Sequence, residues 1–179
     1  FIIKGAIKEA GLLLLLNKYI ANKTGVYPFG ENFNVRNAPK THNKLIELCR
    51  DKIPSDQMPL LIGVGDTVTS VKDNKDNSWL RGGSDRGFLT LIQRLGEAYK
   101  KENQVVFVNS CNDQVLRPII KGTDMTGISD PNDNLKFNMI INDGPKEYID
   151  WFKQLASNYW LISKIFAPKK YFNYNGGIC

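Results

Sequence analysis

The chain has 179 residues, 42% of them hydrophobic and 23% charged, which suits one globular domain with its own core and not two. Its net charge of +6 is spread over scattered lysines and arginines with no run of five or six like charges, which reads first as a soluble domain with a slight excess of lysine and second as attraction to anions, either phosphorylated metabolites or nucleic acid. Three distant cysteines (Cys49, Cys111, Cys179), no CxxC pair and one histidine, His42, argue against structural zinc and a disulfide framework and fit a reducing, cytoplasmic setting.

The chain opens on Phe1, and Lys4 and Lys8 precede a short apolar run at 12–16. This superficially resembles a signal peptide, but no small-residue cleavage pattern follows closely. Ile3, Ala6, Ile7, Ala10, Leu13 and Leu14 recur at three- and four-residue steps, which predicts a buried helix face ending near Thr24 and Gly25. A chain that opens inside a helix without Met reads as a fragment. No run of ~18 apolar residues is present to span a membrane. Residues 26–40, with Pro28, Gly30 and Pro39, read as loop and short extended pieces.

Thr41 is a good N-cap for a helix whose stripe is Leu45, Ile46, Leu48 and Cys49 and which Pro54 stops. Residues 59–66 form a short continuous apolar run ending in Gly65-Asp66. That is the pattern of a buried parallel strand delivering a carboxylate at its C-terminal edge, the edge where open α/β sheets bind ligands. Residues 67–87 read as one long polar loop. A strongly periodic helix follows through Phe88, Leu91, Ile92, Leu95, Ala98 and Tyr99. A second strand is predicted at 105–108, then a loop rich in Asp and Gly at 121–134, then a third strand at 137–141. Pro145 suits the first position of a last helix that buries Tyr148, Ile149, Phe152, Leu155 and Ala156. The alternation predicts an α/β fold, a partial, Rossmann-like parallel sheet flanked by helices in three layers.

Several residues can carry chemistry. Asp66 is available to a hard cation such as Mg2+, which often takes only one or two protein carboxylates; the alternative is an Asp that merely forms a turn. Lys40 and Lys44 flank a helix start, where anions are favoured and a lysine mildly opposes the dipole. In the segment 81–87, Gly82 and Gly83 let backbone N–H groups approach a ligand. Arg81 and Arg86 can grip an anion with paired hydrogen bonds, and Ser84 can add another. Helix capping by Ser84 or Asp85 is the competing reading. His42 is read as surface or supporting, Trp151 and Trp160 as core, and Trp79 as the tryptophan most able to stack on a sugar. Asn109, just past the second strand, falls on the same edge as Asp66 if the strands are parallel.

The stretch 39–48, the strand and its sequel 60–70, the segment 79–89 and residues 106–110 resemble the glucosylglycerol-phosphate phosphatases of salt-tolerant cyanobacteria. The layout is also similar to haloacid-dehalogenase-type phosphatases. That resemblance implies Mg2+ as cofactor, Asp66 as a metal ligand, and Lys40 or Lys44 as the charge-neutralising lysine; Ser70 and Val71 stand where many members carry a second acidic residue, so Asp73 or Asp85 substitutes for it or nothing does. Arg81, Gly82, Gly83, Ser84, Arg86 and Asn109 are then the substrate contacts. It further implies a nucleophile in an apolar strand ending in Asp-x-Asp. No such strand occurs in the chain, so residues 1–179 are expected to be the C-terminal part of one catalytic domain, with the nucleophile upstream of Phe1 and the fragment alone inactive. The implied reaction is hydrolysis of glucosylglycerol 3-phosphate in osmolyte synthesis under salt stress. The implied partner is a small sugar phosphate, with no nucleic acid and no membrane. Competing readings are a phosphatase of trehalose- or glucosylglycerate-phosphate type and a basic nucleic-acid-binding module.

Overall fold

A computed structural model of the chain describes residues 8–109, 127–141 and 144–166. Its elements in chain order are α1 (Lys8–Thr24), a 3-10 turn (Val35–Asn37), α2 (His42–Lys52), β1 (Ile62–Gly65), β2 (Thr69–Lys72) and β3 (Trp79–Gly82). They continue with α3 (Arg86–Tyr99), β4 (Gln104–Val108), β5 (Gly127–Ile128), β6 (Met139–Ile141) and α4 (Gly144–Phe166).

The main sheet has the order β1-β4-β6, all parallel. Alternate residues of each strand face opposite layers. Leu61, Val105 and Phe107 join the larger core with α1, α2 and α3. Ile62, Val64, Val106, Val108 and Ile141 form a smaller cluster with Tyr148 and Trp151 of α4. The result is the three-layer α/β arrangement expected, with helices on both faces of a parallel sheet.

Local chemistry explains the boundaries. Gly25, at φ +76°, ends α1 and donates its N–H to the Ala21 carbonyl at 2.8 Å. The Thr41 hydroxyl caps α2 by accepting from the Lys44 N–H, and Pro54 follows the C-cap residue Ile53. Gly63 has no Cβ because one would sit 2.9 Å from the Ile92 side chain, so β1 and α3 lie in close contact.

Four expectations need correction. Residues 67–87 are not one loop. Within them β2 and β3 form an antiparallel hairpin, and β2 pairs in parallel with β5, giving a second sheet β3-β2-β5. Residues 26–40 contain turns and the 3-10 helix rather than extended pieces. In α1 the buried residues are Ala10, Leu12, Leu13, Leu16, Asn17, Ile20 and Ala21, while Leu14 is half-buried; Ile3, Ala6 and Ile7 lie outside the described residues. In α4, Ile149 and Phe152 are exposed rather than buried; Tyr148, Trp151 and Leu155 are half-buried, and Ala156 is exposed. Among the described residues no helix is long and apolar enough to cross a membrane.

Candidate active site at the carboxyl edge of the parallel sheet

The register places the ends of β1 and β4 side by side. Gly65 pairs with Phe107, and Val108 pairs with Ile141. Asp66 and Asn109 therefore leave their strands at the same carboxyl edge, where such sheets bind ligands. The Asn109 N–H donates to the Ile141 carbonyl at 2.8 Å, which ties that turn to the last strand of the sheet.

Asp66 is half-buried, and its Oδ1 accepts from the Thr67 hydroxyl at 2.7 Å. The backbone around it is held by a second loop. Asp85 Oδ2 accepts the N–H groups of both Asp66 and Thr67, at 3.1 and 3.0 Å, and the Asp85 N–H returns to the Thr67 carbonyl at 3.2 Å. Two glycines permit this approach. A Cβ on Gly65 would lie 2.8 Å from the Asp85 Cβ, and one on Gly83 would lie 2.0 Å from the Thr67 carbonyl oxygen. Gly83 also sits at φ +110°, where L side chains are strained. The close backbone approach foreseen for Gly83 thus occurs, but toward the Asp66 turn.

Asp85 occupies the N-cap position of α3, yet its side chain bonds nothing in that helix. Its own φ, ψ of −94°, −17° are not the extended values of a capping residue. Its Oδ1 instead meets the Lys8 ammonium, which also reaches Ser84 Oγ at 3.3 Å. Beside this pair, Glu9 lies 3.6 Å from His42 Nε2, and Gly87 leaves room for the Glu9 carboxylate at the start of α3. An acid there complements the helix dipole. His42 is thereby a supporting residue that links the starts of α1 and α2.

The two arginines find protein carboxylates. Arg81 Nε donates to Asp130 Oδ2 at 3.0 Å. Arg86 spans both oxygens of Asp133 and also donates to the carbonyls of Gly82 and Thr69. Asp130 and Asp133 are 2% and 3% exposed, so the paired hydrogen bonds foreseen for an external anion are formed inside the fold. For both aspartates burial pushes the carboxyl up, but hydrogen bonds from the arginines and from the Asn132 and Leu135 N–H groups, with the arginine charges, outweigh it and hold both below the ordinary range.

Lys40 is exposed and donates to the Arg36 carbonyl at 3.0 Å. Lys44 is exposed in the first turn of α2. Asp73 lies at the turn between β2 and β3, where its Oδ1 accepts the Lys75 N–H at 2.9 Å. Trp79 opens β3 and is half-buried. Residues 110–113, also foreseen on this edge, lie outside the described residues. Among the described residues no three carboxylate, histidine or cysteine side chains converge as a metal site. Asp66 alone can supply the one carboxylate that Mg2+ minimally requires.

Sequence reasoning missed Lys8, Glu9, Asp130 and Asp133. The last two had a local signal. In Asp-Pro-Asn-Asp each Asp can form an Asx turn, and each does, accepting the N–H of Asn132 and Leu135 respectively. Their arginine partners had none, being 47 to 49 residues away.

Comparison with known proteins bears on most of the chain. The model of the family described as glucosylglycerol-phosphate phosphatase matches residues 1–156. A curated relative, the glucosylglycerol-phosphate phosphatase of Synechocystis sp., is 41% identical over 167 residues, a match that covers 87% of this chain. The chain spans 40% of that relative's length. No solved structure matches.

Proposed function

The chain belongs to the glucosylglycerol-phosphate phosphatase family, and on that premise we propose that the complete protein hydrolyses glucosylglycerol 3-phosphate to glucosylglycerol and phosphate. The observation that carries the reading is Asp66, set at the carboxyl edge of a parallel sheet by β1 and steadied there by a second loop. The reaction cleaves the ester P–O bond and adds water, and an aspartyl-phosphate route requires a nucleophile held in line with phosphorus. The sequence contains no Asp-x-Asp step. We place the nucleophile in a part of the complete protein other than these residues.

In this reading Asp66 holds a Mg2+ ion, which when bound neutralises phosphate oxygens. Asn109, on the same edge, orients the substrate. Of the two lysines, Lys40 is the one that neutralises phosphate. His42 faces Glu9 and the start of α3, whereas Lys44, two residues on, is turned by about 200° on a helix of 3.6 residues per turn and faces away from that cluster. The scattered, unpatterned cysteines favour the cytoplasm, where the product would serve as an osmolyte under salt stress.

Phosphate release by the full-length protein tests the proposal, using glucosylglycerol 3-phosphate beside trehalose and glucosylglycerate phosphates. Glucosylglycerol 3-phosphate should give the highest kcat/KM, and Asp66→Ala should abolish turnover. Undiminished activity in that variant removes Asp66 from the mechanism, and preference for another ester overturns the substrate assignment.

A further inference from the structure

We infer that Asp85 is a positioning residue that locks the Asp66 turn and thereby sets how tightly the site holds its divalent cation. This rests on the reading of Asp66 as a metal-site carboxylate, and it replaces the metal ligation that the sequence suggested for Asp85.

The geometry is that of a brace. Asp85 is 6% exposed. Both of its oxygens are engaged by protein donors, Oδ2 by the N–H groups of Asp66 and Thr67 and Oδ1 by the Lys8 ammonium. Three of the roughly four acceptor positions of this carboxylate are already used, and the Lys8 ammonium beside Oδ1 repels a second cation there. The surroundings are built around this contact. At Gly65 and at Gly83 a side chain would collide, in one case with Asp85 itself and in the other with the Thr67 carbonyl. The bond from the Asp85 N–H back to that carbonyl makes the link reciprocal. An aspartate preceding a helix ordinarily caps it; this one makes no side-chain cap bond and gives its side chain to the Asp66 turn and to Lys8.

Asp66 stands on the first residue past β1, so its carboxylate direction follows its own backbone. Fixing the two successive N–H groups at 66 and 67 fixes the backbone from which the carboxylate hangs, and it sets the Thr67 hydroxyl that donates to Asp66 Oδ1 at 2.7 Å, so the carboxylate has fewer orientations to lose before any ion arrives. A preorganised ligand binds its cation more tightly because less ordering remains to be done. Lys8 extends the chain of contacts to α1, so the turn is fastened to the helical layer as well as to α3.

The test uses the full-length protein and its nearly isosteric Asp85→Asn variant. Amide hydrogen exchange at residues 66 and 67 is measured without substrate or metal, and the Mg2+ half-saturation of phosphate release is measured separately. Both exchange rates should rise about tenfold, the size of effect that weakening a charge-assisted hydrogen bond produces, while exchange within residues 91–95 of α3 stays unchanged. Mg2+ half-saturation should rise by a similar factor, with kcat at saturating Mg2+ within about threefold of the parent. Unchanged exchange at 66 and 67 would overturn the inference, as would faster exchange with unaltered Mg2+ dependence. Loss of kcat that no Mg2+ concentration restores would also overturn it and mark Asp85 as a ligand. If Asp85→Asn does not fold, Lys8→Met keeps the carboxylate and should move both readouts in the same direction by a smaller factor; no movement there overturns the inference equally. An inactive parent protein would sink the phosphatase reading by itself, while the exchange measurement would still decide whether the brace exists.

Discussion

Arg86 and Asp133 face each other as a two-pronged ion pair, with Nη1 to Oδ1 at 3.0 Å and Nη2 to Oδ2 at 2.6 Å. The pair bolts the segment 129–135 to the first turn of α3 and, through the Thr69 carbonyl, to the start of β2. Removing the carboxylate leaves a guanidinium that is only 18% exposed without its counter-charge. We expect Asp133→Ala to lower unfolding free energy by about 2–3 kcal/mol in denaturant titration, somewhat less than for a fully desolvated pair. The pH dependence has a definite sign. The folded carboxyl lies below its ordinary 3.8, so its stabilisation is complete above that value and is lost as pH falls through the lowered one. The stability gap between the parent and Asp133→Asn should therefore be constant near neutrality and narrow once pH drops below 3.8. A gap that widens in acid would contradict the pairing.

Gly83 and Gly25 both have positive φ, +110° and +76°, but their surroundings differ. A methyl group on Gly25 meets nothing within 4 Å, whereas on Gly83 it meets the Thr67 carbonyl oxygen at 2.0 Å. Gly25→Ala should cost only the backbone preference, about 1 kcal/mol. Gly83→Ala should cost about 2–4 kcal/mol, and by displacing Thr67 it should also raise the Mg2+ half-saturation of phosphate release. Equal losses in the two variants, measured by denaturant unfolding, would refute the close approach.

Cys49 is wholly buried in the α2 layer of the core, and burial pushes its thiol up to about 12. At pH 8 only about one thiol in 10⁴ would be ionised, and the thiolate is the reactive form. With Cys111 and Cys179 replaced by serine, an aromatic disulfide reagent should leave Cys49 unlabelled in native buffer. Labelling should track the unfolding transition in denaturant. Rapid labelling at pH 8 without denaturant would place Cys49 outside the core.

Those three sites also show what could be read from the sequence and what could not. β1 and Asp66 were legible because a parallel strand buried on both faces is a continuous apolar run, and a Gly-Asp step marks its end. α2 was legible because Thr41 and Pro54 bracket it. The β2–β3 hairpin was not. Its four-residue strands carry Ser70, Lys72 and Arg81, and part of its pairing is with residue 127, 58 positions beyond Thr69. The arginines were read as grips for a substrate anion, and their contacts with Asp130 and Asp133 could not be read because only the folded chain brings those carboxylates near. Asp85 looked like a cap or a ligand because its position before a helix is visible in sequence, while its contact 19 residues back is not. In α4 the apolar stripe predicts a face, but periodicity does not say what covers it, and Ile149 and Phe152 are about half exposed.

The two lysines near α2 offer the sharpest separation of chemistry from mere charge. Leu45, Ile46 and Cys49 turn one side of α2 into the core, and His42 shares that side through its contact with Glu9. Lys44 projects from the opposite side, so its loss removes one solvated charge and should change phosphate release less than twofold. Lys40 precedes the cap residue Thr41, and its ammonium is held by the Arg36 carbonyl at 3.0 Å. That neutral acceptor is a weaker partner than a phosphate oxygen, which brings a full opposite charge where the carbonyl brings only a dipole. A bound phosphate can therefore compete with the Arg36 carbonyl for the ammonium. Lys40→Met should then lower kcat by about 10²–10³, the usual loss when one preorganised charge is taken from a transition state, and leave denaturant stability within about 0.5 kcal/mol, as for other exposed positions. Steady-state kinetics of the two variants in the full-length protein decides the matter. If Lys44→Met is the crippled one, α2 must present its outer face to the substrate, and the assignment of Lys40 fails.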